Sequence, residues 1–213
     1  GIGWLSFGGG QVGSEEMPES MRIVRLGKDM ISLDSDIVTI KAPYSFEASE
    51  LNYINGTYVY TFNSNWVERT NWTLESPKSS ACSMCFMTTK TPLDSESWVY
   101  EDDYFANPGV FGMEYSNNHT HFEKYCGKWF LFYHSLILQR EFGSEGGFRS
   151  ICVNELEVDE TNVKIKRCTG DRKGPDALKN HYAGEETPFS TIFNSNKIGF
   201  EKNEKSGNMN VIP

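Results

Sequence analysis

The sequence predicts an all-β fold of successive four-stranded units, the repeat from which a β-propeller is built. Three observations predict it. Apolar segments are short and closed by Gly, Pro, Asn and acidic residues. Fourteen Phe, ten Tyr and five Trp suit pleated, half-buried strands. One plan also occurs twice, at residues 42–65 and 116–135: a polar-headed strand, a tight turn and an aromatic return strand. The repeat sets Glu47 and His119 at comparable places in two successive sheets. Innermost strands of propeller blades line the central channel, so both side chains are expected in one cavity.

Taken in order, residues 3–7 (GWLSF) read as a strand that exits through Gly8-Gly9-Gly10, a weak phosphate-loop candidate because no helix follows. Residues 21–26 and 37–40 complete an antiparallel sheet, and Pro43 breaks the chain before the next one. Phe46-Glu47-Ala48 heads a strand that turns at Asn55-Gly56 and returns through residues 57–62. Residues 81–89 and 98–100 supply two more strands, giving a unit of about 60 residues. Glu101, Asp102 and Asp103 read as a solvated turn, since adjacent carboxylates lack the spacing of a calcium loop. After the hairpin that turns at Cys126-Gly127-Lys128, residues 135–149 allow an opening helical turn, but Gly143, Gly146 and Gly147 argue for a loop ending at Arg149. A strand at 150–153 follows, and the alternation at 161–167 is expected to close a second four-stranded unit.

The totals exclude several classes. A formal charge of -9, with 20 Lys plus Arg against 29 Asp plus Glu and no basic stripe, argues against nucleic acid. No run of about 18 apolar residues is available to span a membrane. Five cysteines form neither a metal pattern nor an even disulfide set; Cys82 and Cys85 are spaced as CxxC, but in a strand those positions face opposite ways. Sequons occur at Asn55, Asn71 and Asn118, the last beside His119, where a glycan would obstruct the cavity. The chain opens at Gly1 without a signal-peptide pattern and reads as the inside of a longer protein.

The segments GWLSFGGG, VRLGKDMISLDSDIVTIKAPYSFEAS, NGTYVYTF, NNHTHFEKYCGKWFLFYHS and GGFRSICVNEL together resemble glycoside hydrolase family 43, the arabinofuranosidases, β-xylosidases and arabinanases. The resemblance implies a five-bladed β-propeller over residues 1–174, incomplete here, with its first blades upstream of Gly1. Family members invert configuration with three acidic residues, and Glu47 matches the general acid. Enclosure by Tyr44 and Phe46 is the expected means of keeping that acid protonated, with Phe46 also lining the substrate pocket. The base and the residue that orients the acid would lie upstream, so the chain alone is expected not to turn over. His119 matches a histidine often linked to calcium through its hydration shell, and no organic cofactor is implied. Arg149 matches an arginine that reaches the substrate, while Thr120 and His121 stand where many relatives carry other polar residues.

Residues 175–213 are expected to be a linker and the truncated start of a β-sandwich resembling a family 6 carbohydrate-binding module. The expected function is removal of arabinose or xylose units from plant cell-wall polysaccharide by a secreted enzyme. A non-catalytic carbohydrate-binding propeller, gripping sugar hydroxyls through Glu47 and Arg149, is the rival. A propeller scaffold for protein partners is a third reading. Sheet edges left open by missing blades are expected to make the isolated chain poorly soluble or oligomeric.

Overall fold

The computed structural model describes residues 1–10, 13–144, 146, 147 and 149–175, and the backbone of 199–202 and 209–212. It divides into two compact units, Gly1–Pro175 and Asp176–Pro213. The second unit contains an antiparallel hairpin of Gly199–Lys202 with Met209–Ile212. Any carbohydrate-binding module expected over residues 175–213 otherwise falls outside the described residues.

The first unit is built on three antiparallel sheets. β1 (Gly3–Gly8), β2 (Met21–Leu26) and β3 (Val38–Ile40) form the first, in that order. β4 (Ser45–Ile54), β5 (Thr57–Ser64), β6 (Met84–Thr89) and β7 (Val99–Phe105) form the second, a four-stranded meander. β8 (Thr120–Tyr125), β9 (Lys128–Ser135) and β10 (Ser150–Leu156) form the third. A single helical turn, α1 (Ile137–Glu141), opens the link between β9 and β10, ahead of the glycines.

Alternation along the middle sheet explains how the three pack. Met84 and Phe86 enter the core shared with Phe122, Leu131 and Tyr133 of the third sheet. Their neighbours Cys85 and Met87 enter the core shared with Met21, Ile23 and Ile40 of the first. A strand buried on both faces reads as a continuous apolar run, as MCFM does, because successive side chains point opposite ways. Both hairpins turn through left-handed pairs, Asn55 at φ 46° with Gly56 at 79°, and Cys126 at 49° with Gly127 at 79°. Positive φ at both central positions matches the right-handed twist of the flanking strands.

Two expectations from the sequence fail. Residues 161–167 do not add a fourth strand to the third sheet: β11 (Val158–Asp159) and β12 (Lys164–Ile165) pair with each other. Asp159 accepts from the Thr161 and Asn162 amides and tightens this turn. The chain then runs to β7, where the Cys168 amide donates to the Tyr104 carbonyl at 2.7 Å. Nor is 101–103 a solvated turn, because it lies within β7. Asp103 is buried, accepts from the Ser80 amide at 2.7 Å and pairs with Arg167; Lys164 pairs with Glu101. The cations that make this possible come from 164–167, far along the chain, so local composition could not report them.

Among the described residues no helix is long and apolar enough to cross a membrane. The five cysteines are free. Burial pushes the Cys85 thiol up to about 12, so it behaves as a small core side chain rather than a nucleophile.

Candidate active site

Glu47 and His119, 72 positions apart, meet across two sheets with Glu47 Oε1 2.9 Å from His119 Nε2. Both are half-buried, at 29% and 37% side-chain exposure. Glu47 lies on β4 and His119 just ahead of β8, in different sheets, so no ladder of backbone hydrogen bonds fixes their separation. Local devices do so instead.

The first is a bulge in β4. Register runs from Glu47 opposite Asn63 to Glu50 opposite Thr61, three steps on one strand against two on the other. Ala48 absorbs the extra residue at φ 55°. Glycine supplies the second device. Gly9, at φ 111°, lies so close that a Cβ there would meet the Phe46 carbonyl oxygen at 2.2 Å, and the Gly10 amide donates to that oxygen at 2.6 Å. The triple glycine is thus the seat on which the Glu47 strand rests. The third device is a pair of buried asparagines. Asn63, opposite Glu47, donates from Nδ2 to the Asn118 carbonyl at 2.8 Å, just ahead of His119. Asn118 Nδ2 in turn faces the Cys82 and Ala106 carbonyls at 3.3 and 3.2 Å. Asn118 is fully buried, so its sequon is not presented for glycosylation in the folded chain.

Tyr44 does not enclose Glu47. It stacks on Trp72, 6.1 Å between centroids, and lies under the Arg69 guanidinium at 4.5 Å. Arg69 is itself buried and donates to Ser79 Oγ, Asn65 Oδ1, Ser64 Oγ and the Asn65 and Ser80 carbonyls at 2.8–3.0 Å. Burial lowers its pKa, and this many neutral acceptors offset the desolvation of the charge. Tyr44 is therefore part of the framework beneath the loop between β5 and β6. Phe46 is half-buried and contributes its backbone carbonyl to the glycine seat.

His134 on β9 packs edge-on against His119, 5.6 Å between centroids. Neither ring nitrogen has a hydrogen-bond partner. Burial, with the Arg149 charge and His119 adding to it, pushes its pKa down to about 4, so the ring is neutral near neutral pH. Arg149 itself is exposed, one residue ahead of β10, on the side from which its charge reaches His134. Glu47, His119, His134 and Arg149 therefore make one neighbourhood.

A second carboxylate–imidazole contact lies beside the first: His121 Nδ1 is 2.6 Å from Glu50 Oε1. Burial raises the Glu50 carboxyl above its ordinary range, His121 acting against that shift. Neither Glu50 nor His134 stands out in the sequence. His119 and His121 share a face by simple alternation, whereas Glu47 and Glu50 do so only because of the bulge.

The residues present do not form a calcium site by themselves. Calcium takes about six to eight oxygen ligands. Among the described residues, no three His, Cys, Asp or Glu side chains gather where a metal could be held. His119 Nε2 already faces Glu47.

No family model matches the chain. An arabinoxylan arabinofuranohydrolase of Paenibacillus polymyxa is 27% identical over 99% of the chain, and one of Bacillus subtilis (strain 168) is 28% identical over 97%. The chain spans 34% and 40% of these relatives' lengths. The crystal structure of a family 43 arabinoxylan arabinofuranohydrolase from Bacillus subtilis, in complex with cellotetraose, superposes with a TM-score of 0.72 at 28% identity. That match covers 84% of this chain and 37% of the other. In sequence and in all-β architecture, the chain is similar to part of a glycoside hydrolase family 43 enzyme.

Proposed function

We propose that the protein carrying this chain is an inverting glycoside hydrolase that removes arabinofuranose units from arabinoxylan, with Glu47 as general acid. The observation that carries the reading is the Glu47–His119 contact, a half-buried carboxyl oriented by an imidazole from a second sheet. The similarity to two arabinoxylan arabinofuranohydrolases supplies the substrate class.

The chemistry asks for a carboxyl that donates its proton to the glycosidic oxygen as the bond to the sugar breaks. His119 holds Oε1, which leaves Oε2 for the leaving oxygen. Arg149, with five donors in a fixed fork, grips sugar hydroxyls, and Phe46 offers an apolar face to the ring. Inversion further needs a carboxylate base about 6.5–9.5 Å across the sugar, with room for the attacking water. We place that base in the part of the relatives' length that this chain does not span, so residues 1–213 alone should not turn over. Calcium, if it acts in the whole protein, would reach His119 through water, and no step assigned here passes through it. A polymeric plant cell-wall substrate implies a secreted enzyme, and a carbohydrate-binding module begun within residues 175–213 would hold it there.

The test is hydrolysis of nitrophenyl α-L-arabinofuranoside and β-D-xyloside by the full-length protein and its Glu47→Gln variant. Loss of about 10²–10⁴-fold in kcat, with the arabinofuranoside preferred, is expected. A variant as fast as the parent would remove Glu47 from the role. A folded parent that binds arabinoxylan but cleaves nothing would favour the non-catalytic binding propeller.

A further inference from the structure

Glu50 is a costly residue to place where it is. Its side chain is only 25% exposed, and its Oε2 is buried without a hydrogen-bond partner. Removing a carboxylate from water is unfavourable unless it is paired and hydrogen-bonded. Its partner is His121, which is half exposed and leans on the Phe132 ring, 5.9 Å between centroids and 31° between planes. The pair repeats the Glu47–His119 contact three residues along β4 and two along β8.

We propose that Glu50 and His121 are a positioning pair that fixes the Glu47–His119 geometry, an assignment that rests on Glu47 being the acid. β4 and β8 share no backbone ladder, and the core and the Asn63–Asn118 bond hold the two sheets together without fixing the ring and carboxyl orientations at their facing edge. A second carboxylate–imidazole contact beside the first restrains those orientations. The β4 bulge is what makes the second contact possible: in a regular strand of the same sequence Glu50, three residues on, would point to the opposite face from Glu47. The bulge therefore serves both carboxylates.

The experiment uses the full-length protein with Glu50→Ala, Glu50→Gln and His121→Ala. Because His121 is half exposed, water can replace Glu50 at its ring, and Glu50→Ala is expected to fold. Displacement of a catalytic group by about 1 Å can cost on the order of 100-fold. Glu50→Ala and His121→Ala should each lower kcat by about tenfold or more with KM within about twofold. Glu50→Gln should recover to within about threefold of the parent, since its amide oxygen still accepts from His121. Long-range proton–nitrogen spectra of the histidine rings provide a second readout. The His119 signals should move in both alanine variants and return in Glu50→Gln.

Unchanged kcat in the alanine variants, or a glutamine variant as impaired as alanine, would overturn the assignment. So would His119 signals indifferent to Glu50. If the parent itself hydrolyses no glycoside, the functional reading fails, and the His119 spectrum still decides whether the pair positions that ring. Should Glu50→Ala not fold, His121→Ala carries the same decision.

Discussion

The hairpins β4–β5 and β8–β9 turn through the same backbone geometry, yet they occupy different surroundings. The sheet of β4 and β5 has an apolar core on each face. In the sheet of β8 and β9, Phe132 is partly exposed and Ile151 is 83% exposed. The irregular hairpin is the buried one: β4 carries the bulge that aims Glu47 and Glu50, while plain alternation aligns His121 of β8 with His119 just ahead of it. Departure from regular structure is tolerated where packing over-determines the backbone. Glu47 thus comes from the sheet packed on both faces, and His119 from the segment that leads into the simpler strand.

The largest expected effect breaks the packing difference. Phe86→Ala, in the core between the second and third sheets, should cost about 3–5 kcal/mol, whereas Ile151→Ala should stay within about 0.5 kcal/mol. Thermal melts of the full-length variants check both, and comparable losses would refute the contrast. Next is the link between the hairpins: Asn63→Ala removes the donor to the buried Asn118 carbonyl and should cost about 1–3 kcal/mol. Activity should fall further than stability accounts for, because His119 loses its anchor. A melt unchanged by this substitution would show that water replaces the donor.

A smaller effect makes the hairpins alike. Cys126→Asn puts the residue of the first turn into the second, at a φ of 49° that asparagine tolerates better than cysteine, and should gain up to about 1 kcal/mol. The smallest is a pH effect. The folded His134 pKa of about 4 lies below the ordinary 6.5, so between these values the unfolded chain binds more protons. Stability should therefore fall as pH drops from 6.5 towards 4, and His134→Gln should flatten that slope. Urea midpoints at pH 7 and pH 5 for both proteins measure it; equal slopes would contradict a buried neutral ring.

Strands and hairpins were legible because their cause is local. Asn55-Gly56 specifies its turn, and MCFM reports a strand buried on both sides. Glu47 and His119 were legible through the repeat and the family resemblance. Glu50 was hidden because strand arithmetic places it opposite Glu47, and only the left-handed Ala48 reverses that. Tyr44 misled because proximity in sequence suggested proximity to the Glu47 carboxyl, while Arg69, buried in a polar loop, claims its ring. Asp103 and the segment 161–167 were misread for one reason: residues 101–104 and 164–168 pair with each other across a whole intervening sheet in the sequence.

The most direct test of Glu47 as the acid varies the leaving group. Protonation matters little when the departing group is an activated dinitrophenolate and much when it is the hydroxyl of a xylose unit. In the full-length protein, Glu47→Gln is expected to lose most of its rate on arabinoxylan and much less on the dinitrophenyl arabinofuranoside. An equal loss on both substrates would mean that Glu47 serves binding or structure, and would contradict the assignment.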